Sequence, residues 1–142
     1  MKEKDSIYVD TNVFIAWLVA SHPDYKQARC IFKQYSKYQF YYSLLVIDEI
    51  LFVMTKYRIS KNIIQNIIKS NLIENPICIL IEDTINHEQI EKYLNLWVNC
   101  GLKPRDALHY YYMKKMKITT IATFDQDFIR QQKKLGIKVL KY

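Results

Sequence analysis

The chain has 142 residues and a mass of 17.1 kDa, enough for one domain over residues 1–142 with its own core and too short for two. Half of the residues are apolar and a quarter are charged, with only two glycines and three prolines, which excludes disordered, collagen-like and low-complexity chains. The net charge of +7 comes from 21 basic and 14 acidic side chains; it is spread over both halves of the chain, as on a folded surface that meets a polyanion.

Short β-rich runs alternate with longer helical periods. Ile7-Tyr8-Val9 reads as a strand that stops at Asp10-Thr11-Asn12, and helical spacing follows at Phe14, Trp17 and Leu18. The apolar run Val13–Ala20 is too short to span a bilayer and follows acidic residues, unlike a signal peptide. Asp24 to Tyr38 reads as a helix, Phe40 to Val46 as a strand and Ile47 to Tyr57 as a helix. Ser60 is a good N-cap for a helix through Leu72. Pro76 to Ile81 reads as a buried strand, Asn86 to Cys100 as a helix stopped by Gly101, and Pro104 opens a helix to about Met116. Ile118 to Phe124 is a predicted strand, Asp127 to Leu135 a helix ended by Gly136, and Ile137 to Tyr142 a last strand. Alternation of this kind predicts an α/β fold with a central, mostly parallel sheet covered on both faces. Cys30, Cys78 and Cys100 are widely spaced and odd in number. They read as buried thiols of a soluble, cytoplasmic protein with no membrane segment.

In parallel sheets, sites form beyond the C-terminal ends of the strands. Acids stand at those places here. Asp10 ends the first strand, and Asp125 ends the Ile118–Phe124 strand with Asp127 two residues on. Glu49 lies one turn into the helix after the second strand, and Asp106 lies in the first turn of the helix opened by Pro104. Asp10, Asp106, Asp125 and Asp127 could each serve only as helix N-terminal carboxylates. Glu49 is harder to explain that way, because Val46, Ile47, Ile50, Leu51 and Val53 around it are apolar; its neighbour Asp48 reads as solvated. Two carboxylates about 4 Å apart repel by roughly 4 kcal/mol at an effective dielectric of about 20, so a converging set takes up protons or a cation. All-oxygen ligation suits Mg²⁺ or Mn²⁺, which can organise attack on a phosphodiester. Setting the five acids aside leaves nine acids against 21 bases, an excess of 12 positive charges around the acidic hole.

At these residues the sequence resembles the PIN-domain ribonucleases. Tyr8-Val9-Asp10-Thr11-Asn12-Val13-Phe14, Ser43-Leu44-Leu45-Val46-Ile47-Asp48-Glu49-Ile50, Leu102-Lys103-Pro104-Arg105-Asp106-Ala107-Leu108-His109 and Ile121-Ala122-Thr123-Phe124-Asp125-Gln126-Asp127-Phe128 are similar to that family's four motifs, in order and over nearly the whole chain. The resemblance implies a three-layer α/β/α sandwich and a Mg²⁺- or Mn²⁺-dependent endoribonuclease leaving a 5′-phosphate and a 3′-hydroxyl. It carries over Asp10, Glu49, Asp106 and Asp125 as catalytic and metal-binding acids and Asp127 as an auxiliary metal ligand. Asn12 and Thr123 match polar positions that orient the acids. Among PIN proteins the chain looks most like VapC-type toxins, which implies RNA as substrate, a small antitoxin partner and a homodimer.

Lys103 and Arg105 flank Asp106 and are candidates to grip RNA phosphate, as is His109, one helical turn after Asp106, unless it packs inside. The basic run Lys114, Lys115 and Lys117 reads as a wet helix end, and the twelve tyrosines mostly as core or dimer face. Two other functions compete. A phosphatase with Asp10 as nucleophile needs a second Asp where Asn12 stands. A non-catalytic RNA-binding or partner module, or a stand-alone RNA-processing PIN protein, keeps the same core.

Overall fold

The computed structural model describes residues 5–140. Five strands form one sheet: β1 (Ser6–Val9), β2 (Gln39–Tyr42), β3 (Cys78–Leu80), β4 (Thr120–Ala122) and β5 (Lys138–Val139). Their order is β3-β2-β1-β4-β5, and every neighbouring pair is parallel. Seven helices connect them: α1 (Thr11–Leu18), α2 (Tyr25–Gln34), α3 (Leu44–Lys56), α4 (Lys61–Ile68), α5 (His87–Cys100), α6 (Pro104–Lys115) and α7 (Gln126–Leu135). This is the predicted α/β architecture.

The central strand shows why both faces of the sheet are covered. Ile7, Tyr8 and Val9 have no exposed surface, although consecutive side chains point to opposite faces. Ile7 registers with Phe40, whose ring packs 4.7 Å from Phe32 of α2. On that side Phe32 also stacks on Trp17 of α1 at 4.3 Å. Tyr8 points the other way, to His109 of α6. Among the described residues no helix is long and apolar enough to cross a membrane. The run Val13–Ala20 instead supplies buried Val13, Phe14, Ile15 and Ala16 to the core.

Several boundaries differ from the reading of the sequence. The strand expected over Phe40–Val46 ends at Tyr42; Ser43 turns extended (φ −112°, ψ 169°) and α3 begins at Leu44. The apolar run crosses the boundary unbroken because Val46, Ile50 and Met54 are already the buried stripe of a helix. The helix expected to Tyr38 stops at Gln34, and the strand over Ile118–Phe124 shrinks to Thr120–Ala122. The helix capped by Ser60, whose side chain accepts from the Ile63 N–H, widens at Lys69–Ile73 into a π-helical turn. Tyr142, the expected end of the last strand, lies outside the described residues. Cys78 and Cys100 are buried, but Cys30 is exposed on the outer side of α2, which corrects the expectation for that thiol.

Candidate active site

The strand order makes β1 the point where the chain reverses its direction of winding, with β2 on one side and β4 on the other. Connections leaving β1 and β4 diverge there and open a crevice at their C-terminal ends. The Asp10 N–H donates to the Ala122 carbonyl at 2.9 Å, so the segments after the two strands begin side by side.

Asp10 is held from three directions. The Thr11 N–H donates to Oδ1 at 2.8 Å, and the Thr123 hydroxyl and Asn12 amide donate to Oδ2 at 2.7 and 3.3 Å. Asn12 is fixed in turn by the Phe124 N–H, and the Asp125 N–H donates to Thr123 Oγ1 at 3.0 Å. These bonds sew the end of β1 to the end of β4. Asp10 and Asp125 also cap α1 and α7, so the simple capping role and a place in the cleft coincide. Burial pushes the Asp10 carboxyl up against the pull of His109, Thr123 and Thr11.

Three of the five acids approach to ligand distance: Asp106, Asp125 and Asp127 each offer an oxygen within 4.8 Å of the others. Burial, followed by the charges of Asp125 and Asp10, pushes the Asp106 carboxyl up to about 7. Glu49 lies outside that group. Its Oε1 accepts from His109 Nε2 at 2.6 Å and from the Thr11 hydroxyl at 3.0 Å. Burial disfavours its charge, but the His109 and Thr11 bonds outweigh that and hold Glu49 below its ordinary value. Among the described residues no lysine or arginine forms an ion pair with Asp10, Glu49, Asp106 or Asp125; Asp127 alone of the five pairs with one, Arg130.

A family model for the PIN domain matches residues 7–134. The chain belongs to the PIN-domain family. Among solved structures it superposes on the Mycobacterium tuberculosis toxin VapC20, described as sarcin-ricin loop cleaving, with a TM-score of 0.69 over 87% of this chain and 93% of that one. At 19% identity this likeness is one of fold. No curated protein sequence matches the chain.

In this PIN domain the remaining predicted residues divide. Lys103 and Arg105 are exposed at the start of α6, beside Asp106, and the Arg105 charge reaches Glu49. His109 does not face an incoming ligand, which corrects that expectation. It is 1% exposed, and Nδ1 is 2.6 Å from the Tyr8 hydroxyl while Nε2 meets Glu49. Burial lowers the imidazole's affinity for a proton, but Glu49, Asp10 and Asp106 raise it further, so the net shift is upward. Thr11, Tyr8 and Ser43 are site residues that the sequence reading did not single out. The Tyr8 hydroxyl is 2.9 Å from Ser43 Oγ, and neither residue is exposed. Their signal is only that they lie inside the first two motifs.

The donor set fits a hard dication. The converging groups are carboxylates alone, and burial and its acidic neighbours make one of them, Asp106, hold its proton to near neutrality.

Proposed function

We propose that the chain is a divalent-metal-dependent endoribonuclease that uses Mg²⁺ or Mn²⁺. The observation that carries this reading is the convergence of Asp106, Asp125 and Asp127, with Asp10 adjoining, in the crevice of a PIN domain. A bound Mg²⁺ or Mn²⁺ would neutralise the scissile phosphate and acidify water. Asp106, Asp125 and Asp127 would hold the ion, and Asp10 adds a carboxylate that Thr11, Thr123 and Asn12 keep from rotating. Glu49 would take a proton from the attacking water at Oε2, the oxygen that neither of its hydrogen bonds uses. Lys103 and Arg105 bind phosphates at the rim. A phosphatase with Asp10 as nucleophile lacks its second acid, because Asn12 stands two residues on and donates to Asp10 Oδ2.

We read the protein further as the toxin of a toxin–antitoxin pair, with an antitoxin and a second copy as partners. Exposed apolar side chains support protein partners: Leu44, Ile63 and Ile73 about α3 and α4, and Ile90, Leu94 and Val98 along α5. The test is cleavage of structured RNA, beginning with a sarcin–ricin loop hairpin because VapC20 is described as cleaving one. Cleavage should require Mg²⁺ or Mn²⁺, stop with chelator, and fall at least about 100-fold in Asp106→Asn and Asp125→Asn. Undiminished cleavage in both variants would refute the assignment.

A further inference from the structure

We propose that His109, braced by Tyr8 and Ser43, is a positioning residue for Glu49. Its work is to fix one carboxylate oxygen so that the other faces the cleft. The proposal rests on the nuclease reading above and adds a residue to it.

The geometry is a chain of four side chains from three elements, buried up to its last member, Glu49. Ser43 Oγ at the start of α3 lies 2.9 Å from the Tyr8 hydroxyl on β1, and that hydroxyl lies 2.6 Å from His109 Nδ1 on α6. His109 Nε2 then lies 2.6 Å from Glu49 Oε1 on α3. Ser43, Tyr8 and His109 are each at most 1% exposed. A hydroxyl pair and an imidazole buried among apolar residues cost stability unless every polar atom is bonded. Here each finds its partner only when the next is in place, and no buried side-chain oxygen or nitrogen of the described residues is left unbonded. The ring cannot turn, because the Tyr8 and Glu49 bonds hold opposite nitrogens. Thr11 adds a second donor to the same Glu49 oxygen at 3.0 Å. Oε2 accepts no hydrogen bond from the described residues and is not fully buried, so it is the oxygen left for the cleft. His109 Nε2 is also 3.4 Å from Asp10 Oδ1, so the same ring sets the spacing between the two acids flanking it.

A buried imidazole could instead simply fill space. A cycle of variants separates the roles, read by Mn²⁺ calorimetry and by the turnover number on hairpin RNA. His109→Leu should weaken Mn²⁺ or slow turnover by about 10- to 100-fold, the range for residues that orient ligands through a hydrogen bond. His109→Gln, whose amide nitrogen can reach Oε1, should recover most of that loss. The double variant His109→Leu/Glu49→Gln should be no worse than Glu49→Gln alone, since His109 acts through that carboxylate. If His109→Leu does not fold, Tyr8→Phe takes its place in the cycle; it loses one hydroxyl, and the expected loss is about fivefold. Losses that add in the double variant, a glutamine as poor as leucine, or no loss at all would overturn the proposal. Those outcomes leave the nuclease reading standing if Asp106→Asn still abolishes Mn²⁺ binding. Failure of Asp106→Asn and Asp125→Asn to weaken Mn²⁺ would instead strike the nuclease reading.

Discussion

At the scale of single residues, the site is governed by which carboxylates have a counter-charge. Glu49 has His109, and Asp127 has Arg130; Asp106 is half-buried, has no ion-pair partner among the described residues and faces the charges of Asp125 and Asp10. Burial first, and then those charges, hold its proton to about 7 in the fold, against 3.8 for the free side chain. A value raised by folding means that protonated Asp106 favours the native state. That contribution is complete below about pH 4 and is lost as pH rises through about 7. Without metal, Asp106→Asn should stabilise the protein at pH 8 by about 1 kcal/mol, or about 3 °C in Tm for a chain this long, and by much less at pH 5. Thermal melts at the two pH values check the sign. Added Mn²⁺ should reverse the order, because it stabilises only the wild type, and its affinity should drop as pH falls below 7 since protons compete for the same oxygens. Calorimetric titrations between pH 6 and 8 would show that slope.

At the scale of elements, caps position the acids. Asp10 and Asp125 sit where a strand gives way to a helix, so each side chain is fixed by N–H groups of the turn it starts. α6 presents Asp106 and His109 on one face, three residues apart, the first at the edge of the cleft and the second beneath it. α7 ends at Gly136 in the left-handed region (φ 67°) before β5. A Cβ there would meet nothing within 4 Å, so the whole cost of a substitution is backbone strain. Gly136→Ala should destabilise by about 1 kcal/mol and Gly136→Asn by less, because asparagine tolerates that conformation. Chemical denaturation of the two variants would show the ranking. These elements were legible because their punctuation is local: Ser60, Gly101, Pro104 and Gly136 all stand at the boundaries their chemistry predicts. The boundary between β2 and α3 was not, since Phe40–Val46 is apolar throughout and changes its period without a polar break.

At the scale of the whole molecule, a basic surface surrounds an acidic crevice, with 21 lysines and arginines in the chain. Affinity for RNA should therefore fall steeply between 50 and 200 mM salt, on the order of tenfold for about every two phosphates contacted. Lys103→Ala and Arg105→Ala should each lower the salt slope by about one and leave Mn²⁺ binding intact. Fluorescence anisotropy with a labelled hairpin and the inactive Asp106→Asn protein would measure it. The sequence by itself determined the parallel α/β fold and the strand-end positions of Asp10, Glu49, Asp106 and Asp125, because turns, caps and periodicity act over a few residues; Asn12 and Thr123, which donate to Asp10, were legible only through the motif resemblance. Only the tertiary structure decided how the acids divide, with Asp106, Asp125 and Asp127 gathered together and Glu49 tied to His109. It also decided that His109 lies inside. Glu49 and His109 are 60 residues apart, and they meet because the fold brings α3 and α6 together beside Asp10. Local spacing carries no record of that meeting.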